Sequence, residues 1–386
     1  MSITAAAGFT AAGVVAGLKS TGARDVALVQ NLGPLQSAAA VFTSNRCKAN
    51  PVLWSEQVIA DGVVSAIVLN SGGANCYTGA QGFQVTHRTA ELVGEHLEVS
   101  AGDVLVCSTG LIGDQLDLAK LTAGVRDASV ELETGAEAGE AAARAIMTTD
   151  TVPKQATVRS EQGWSVGGMA KGAGMLAPGL ATMLVVITTD AALDSVDLDA
   201  ALREATRMSF DRLDSDGCMS TNDTVALLAS GASGVTPDAA GFTAALTQVC
   251  RDLTLQLQAD AEGAAHDVAI RVLNAASEDE AVDVARAVSR SNLFKAAIFG
   301  NDPNWGRVLA AVGTTDAQFD PYGIDVAMNG VQVCRAGESH ESRDLVDLTP
   351  RGVSVDIDLH AGDATATIWT NDLTHDYVHE NSAYSS

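Results

Sequence analysis

Along this chain, short β-branched runs that stop at glycine or asparagine alternate with longer stretches in which apolar residues recur at helical spacing. Residues 63–70 form such a run and end in Asn70-Ser71-Gly72-Gly73, and residues 104–108 form another that ends at Thr109-Gly110. Both predict strands that deliver small polar residues at their ends, where sites are commonly built. Residues 136–147 are rich in Ala and Glu and predict a helix, closed by Thr148-Thr149-Asp150 and then Pro153, so Thr148 belongs to a helix end or loop. Phe242, Ala245, Leu246, Val249, Cys250, Leu253 and Leu257 follow the i, i+3, i+4, i+7 rule of an amphipathic helix that runs towards Glu262. Residues 268–273, 326–334, 353–359 and 364–370 read as strands. The pattern predicts a mixed α/β (α+β) chain with at least two sheets, with no linker, low-complexity tract or internal repeat.

Composition narrows what such a chain does. Its 386 residues are 47% apolar and 18% charged, enough for a sizeable core in one large or two ordinary domains. The 48 acidic residues outnumber 23 basic ones, and the net charge of −25 argues against a nucleic-acid partner, whose backbone is held by clustered Lys and Arg. Six widely spaced cysteines show no CxxC pair and read as buried thiols, Cys107 and Cys218 among them, in a reducing compartment. Residues 1–17 lack a basic residue ahead of their apolar positions, and no apolar run reaches the roughly 18 residues of a membrane span. A cytoplasmic enzyme is the expectation.

The chemistry concentrates in residues 171–184, KGAGMLAPGLATML, where a glycine-rich loop meets an apolar strand at a single threonine, Thr182. A threonine hydroxyl is a weak nucleophile without an adjacent base. A chain break between Ala181 and Thr182 would supply one, the freed α-amine of the same residue, whose reference pKa of about 8 leaves part of it unprotonated near neutrality. Lys171 does not belong to a phosphate loop, because Gly172 follows it where the GxxxxGK[ST] pattern needs Ser or Thr. His375 and His379 stand four apart without a third ligand, so no metal is expected. Asp302-Pro303-Asn304-Trp305-Gly306-Arg307 is dominated by turn formers.

Residues 171–184 closely resemble the self-processing segment of the ornithine acetyltransferase (glutamate N-acetyltransferase) family. The likeness continues in order through Asn70-Ser71-Gly72-Gly73-Ala74-Asn75, Cys107-Ser108-Thr109-Gly110-Leu111-Ile112-Gly113, Ile146-Met147-Thr148-Thr149-Asp150, Ala259-Asp260-Ala261-Glu262-Gly263-Ala264, the 302–307 block and the terminal Glu380-Asn381-Ser382-Ala383-Tyr384-Ser385-Ser386. The resemblance implies an α/β/β/α sandwich with a smaller C-terminal α/β part. It implies self-cleavage at Ala181/Thr182 into an alpha chain, 1–181, and a beta chain, 182–386, which stay associated and pair into a heterotetramer. It further implies ping-pong transfer of acetyl from N-acetylornithine to glutamate through an acyl-enzyme on Thr182, without a cofactor, in arginine biosynthesis. Some family members also accept acetyl-CoA as donor. By the same resemblance Thr109 and Gly110 stabilise the oxyanion, and Thr148, Lys171, Thr182, Glu262, Asn381 and Ser386 hold substrate. Lys171 suits a carboxylate, Glu262 an ammonium, and the terminal carboxylate of Ser386 a cation. A self-processing amidase or aminopeptidase would hand the same acyl group to water, and an amino-acid-binding protein would need no break. Lys171, Glu262 and Asn381 favour transfer.

Overall fold

The computed structural model describes residues 2–177 and 183–383. Ala181, Thr182 and Ser386, all singled out above, lie outside the described residues. The first sheet is built from β1 (Phe9–Val14) and β2 (Val26–Asn31), while β3 (Ser37–Phe42) leaves for the second sheet. Helix α1 (Asn50–Val58) leads to β4 (Ala66–Asn70), and α2 (Gly79–Leu97) crosses over to β5 (Val104–Ser108), which pairs parallel with β4. Helices α3 (Leu118–Val130) and α4 (Ala136–Ala145) follow. Every residue of β4 and β5 is buried, because helices cover one face and the second sheet covers the other. Burial on both sides is why these strands read as unbroken apolar runs.

The second sheet adds β6 (Lys154–Arg159), β7 (Ser165–Lys171), β8 (Leu184–Thr189) and, after α5 (Ser195–Arg207), β9 (Thr224–Ala229). Its order is β3-β9-β8-β7-β6. Side chains alternate between two cores with the period of two that a strand imposes. Ile67, Leu69, Leu105 and Cys107 from the first sheet meet Leu184, Val186, Ala226 and Leu228 from the second, whereas Val185, Ile187, Val225 and Leu227 point outward. The outward set packs under α5 and α6 (Ala239–Ala259), whose Phe242, Leu246, Val249 and Leu253 form the expected apolar stripe. The layers run α/β/β/α.

The C-terminal part is a third sheet, β10 (Asp267–Ala275) with strands that return after α7 (Glu278–Ser289), α8 (Asn292–Phe299) and α9 (Trp305–Val312). Asn304 caps α9, its Oδ1 accepting the Arg307 N–H at 3.3 Å, so the 302–307 block is a helix entry. The stretch expected as one strand, 326–334, is instead a hairpin of β11 (Asp325–Met328) and β12 (Val331–Arg335). Asn329 and Gly330 between them both have left-handed backbones, φ +45° and +83°, as a two-residue hairpin turn requires. Strands β13 (Glu338–Ser339), β14 (Gly352–Asp358) and β15 (Ala364–Asn371) complete the sheet, and α10 (His375–Ala383) ends the described chain. Trp369 of β15 packs into the outer core of the sandwich and fixes the two parts together. Among the described residues no helix is long and apolar enough to cross a membrane. The buried-thiol expectation fails at two positions: Cys47 and Cys218 are exposed. Cys218 sits in a polar turn in which Asp216 accepts its N–H at 3.0 Å.

Candidate active site

The parallel strand β5 ends at Ser108, and the chain there must turn beneath the Gly72-Gly73 turn that follows β4. Gly110 adopts φ +127°, and a Cβ on it would lie 2.8 Å from the Gly73 nitrogen, so only glycine fits. Asn222 ties both turns together, its Nδ2 donating to Ser108 O at 2.8 Å and Ala74 O at 2.6 Å. Thr109 is buried, and Lys171 at the end of β7 places its Nζ 3.3 Å from Thr109 Oγ1. An ammonium only donates, so Thr109 Oγ1 accepts and its own proton is left to donate onward. The Gly110 N–H meets no acceptor among the described residues. A hydroxyl and a backbone N–H are thus set side by side, the arrangement that stabilises an oxyanion.

Lys171 belongs to a buried charge network that reaches three parts of the chain. Asp150 accepts the Gly172 N–H at 2.7 Å, the Thr148 N–H at 2.9 Å and Lys154 Nζ at 2.6 Å. Lys154, itself fully buried, also reaches Asp260 Oδ2 at 2.6 Å, just past the end of α6. Burial alone would push the Asp150 carboxyl up, but Lys171, Lys154 and the donated hydrogen bonds outweigh it and hold the carboxyl at about 2. Burial in turn lowers the Lys171 ammonium, against the pull of Asp150. A depressed carboxylate stabilises the folded state above the unfolded pKa and ceases to do so as pH falls through the folded one. Between about pH 4 and pH 2 the unfolded chain takes its proton first. In urea titrations, wild type should therefore lose about 2 to 3 kcal/mol more across that window than Asp150→Asn; equal acid sensitivity would refute the assignment.

The third group is Glu262, which stands in the turn beyond α6, three residues past the helix end. Its N–H donates to Ala173 O at 3.0 Å, its Oε1 accepts from Thr149 Oγ1 at 2.8 Å and its Oε2 from Asn381 Nδ2 at 3.0 Å. Helix α10 thereby brings the C-terminal Asn381 onto the loop that follows Lys171. Its described part is pinned at successive residues: Asp216 Oδ2 accepts the N–H of Met175 at 2.7 Å, and Met175 has a left-handed backbone, φ +54°. Ser215 donates its N–H to Leu176 O at 2.6 Å. On the far side of residues 178–182, Met183 donates its N–H at 3.2 Å to the fully buried Asp223, whose other oxygen has no partner among the described residues. Burial holds the Asp223 carboxyl well above the ordinary range.

Of the residues singled out in the sequence, Thr109, Gly110, Thr148, Lys171, Glu262 and Asn381 converge on residues 171–177. Asp150, Lys154, Asp260, Thr149 and Asp223 complete the cluster and were not singled out. Thr149, Asp150 and Asp260 were within quoted blocks, but Lys154 and Asp223 carry no local signal. Cys107 is buried, and burial pushes its thiol up to about 12, which removes it as a nucleophile at neutral pH. Among the described residues no group of three or more His, Cys, Asp or Glu side chains is placed to hold a metal.

Donors set out before any charge exists are what acyl transfer needs, so fold and site together define an acyl-transfer enzyme of the two-sheet sandwich class. Residues 10–386 match the ArgJ family model. Over 386 residues, the whole of both chains, the sequence is 64% identical to the arginine biosynthesis bifunctional protein ArgJ of Streptomyces coelicolor and 63% identical to that of Streptomyces avermitilis. A solved ornithine acetyltransferase of Mycobacterium tuberculosis, complexed with ornithine, is 54% identical, covering 47% of this chain and 96% of its own with a TM-score of 0.46. The chain belongs to the ArgJ family and is a bifunctional acyltransferase of arginine biosynthesis.

Proposed function

We propose that the chain cleaves itself between Ala181 and Thr182 and then carries an acetyl group on Thr182 from N-acetylornithine to glutamate. The observation that carries this reading is the convergence of Thr109-Gly110, Thr148-Thr149-Asp150, Lys171 and the Glu262–Asn381 pair on the loop leading into residue 182. In the precursor the Thr182 hydroxyl attacks the Ala181 carbonyl. The amide C–N bond breaks as an ester forms on Oγ, and water hydrolyses that ester. The freed α-amine then takes the hydroxyl proton as Oγ attacks the acetyl carbonyl of N-acetylornithine. Thr109 Oγ and the Gly110 N–H stabilise the tetrahedral oxyanion, and the departing ornithine nitrogen takes up the proton. Glutamate reverses the sequence with its own amine.

In this reading Lys171 pairs with a substrate carboxylate and Glu262 with an ammonium. Thr148, Asn381 and Ser386 complete the binding site. Nucleophile, base and oxyanion donors all come from the chain, so the chemistry calls for no cofactor or metal; acetyl-CoA, where used, serves as a second donor to the same hydroxyl. The reading places the enzyme in the cytoplasm as paired alpha and beta chains, two of each. Its test is to mix the protein with N-acetylornithine alone, quench in acid and weigh the fragments. The fragment beginning at Thr182 should gain one acetyl group and lose it when glutamate is added. Turnover without any acetylated fragment would end the proposal.

A further inference from the structure

We propose that Lys19 reads the side-chain carboxylate of the acceptor and so selects glutamate, an inference that rests on the acetyl-transfer reading above. Lys19 lies in the loop between β1 and β2, and that loop has a fixed shape. Asp25, fully buried, accepts the N–H groups of Ala16 at 2.6 Å, Leu18 at 2.6 Å and Lys19 at 3.0 Å, so both its oxygens are committed to backbone. The Lys19 ammonium is held by two carbonyls, Met147 O at 2.6 Å and Arg24 O at 2.9 Å. That leaves one of its three protons, and among the described residues no carboxylate oxygen forms an ion pair with it.

This ammonium lines a cavity of about 810 Å³ that also reaches Gly110, Thr148 and Asp150. It therefore shares a wall with Gly110, one of the two oxyanion donors. Burial lowers its pKa against the pull of Asp25, and Lys171 and Asp150 also lie close enough to act on it. The other charged side chains of the wall stand towards solvent: Arg24 is exposed and gives one N–H to Gly13 O, Arg144 is exposed and pairs with Glu140, and Asp114 is exposed. Among the described cations lining this cavity, Lys19 is the one drawn partly out of solvent and fixed by backbone carbonyls, with a proton left for an incoming anion.

The two substrates differ in the charge such a group would read. Ornithine carries one carboxylate and a side-chain ammonium, whereas glutamate carries two carboxylates. Lys171 accounts for one carboxylate in each. The second carboxylate of glutamate needs a second cation, and a neutral isostere such as glutamine does not.

The test uses the processed enzyme, acetylated with N-acetylornithine and then offered glutamate or glutamine. Wild type should favour glutamate, and Lys19→Met should cut the glutamate-to-glutamine ratio of kcat/KM by about 10- to 100-fold, through KM for glutamate. Lys19→Arg should keep most of the preference. The ratio is taken on one protein, so partial loss of folded enzyme cancels. An unchanged ratio in Lys19→Met would overturn the proposal. So would a Lys19→Met enzyme that cleaves but never becomes acetylated, since Lys19 would then support the loop. Failure of wild type to form an acetyl-enzyme would instead sink the functional reading itself.

Discussion

Thr182→Ala should yield a single uncut chain and acetyl transfer no faster than background. The variant keeps every donor around residues 171–177, including Thr109, Gly110 and Lys171, and loses the attacking oxygen and, because it stays uncut, the α-amine that would serve as its base. Residual catalysis from the donors and binding groups has no acyl-enzyme to act on, so the loss is the full covalent contribution, many orders of magnitude. Intact mass after incubation should show fragments 1–181 and 182–386 for wild type and one species for the variant. Two fragments from Thr182→Ala, or a fully active wild type with an unbroken backbone, would contradict the scheme.

The largest stability effect should come from Lys154. Its ammonium sits between Asp150 and Asp260, 2.6 Å from each, with both carboxylates almost wholly out of solvent. Lys154→Met keeps much of the volume, removes the ammonium paired with Asp260 and leaves Asp150 with Lys171 as its remaining nearby cation. Breaking a buried pair this way costs about 3 to 5 kcal/mol, because the orphaned charge keeps its desolvation penalty. Urea unfolding at pH 7 should show a loss of that order, together with a raised KM, since Asp150 also holds the backbone N–H groups of Thr148 and Gly172. A loss below about 1 kcal/mol would mean that the network is not what shapes the site.

How far the sequence could be read follows from where each signal lives. Strand ends at Asn70 and Ser108 and the stripe on α6 were legible, because burial on one or two faces leaves a period in the chain itself. The β11–β12 hairpin was hidden because apolar alternation continues on both sides of Asn329-Gly330, although that dipeptide is the stronger signal. Residues of the site were legible through family resemblance. Periodicity says nothing about Glu262 meeting Asn381, 119 positions later, or Lys154 meeting Asp260, 106 positions later. Lys19 was silent for the same reason: one of its two carbonyl acceptors, Met147, is 128 positions away. The exposed Cys47 and Cys218 show the converse, that composition places a residue type on average and not a residue.

The strand order β3-β9-β8-β7-β6 has a consequence for the proposed cut. Strands β8 and β9 come after residue 182, yet they lie between β3 and β7, which come before it. The two products would be interleaved rather than adjacent, since the second sheet joins them through the β3–β9 and β7–β8 ladders, each with one strand from either product. Processing would then make folding a one-time event: a chain that unfolded after the cut could regain its shape only through the meeting of two separate molecules, at a yield that falls on dilution.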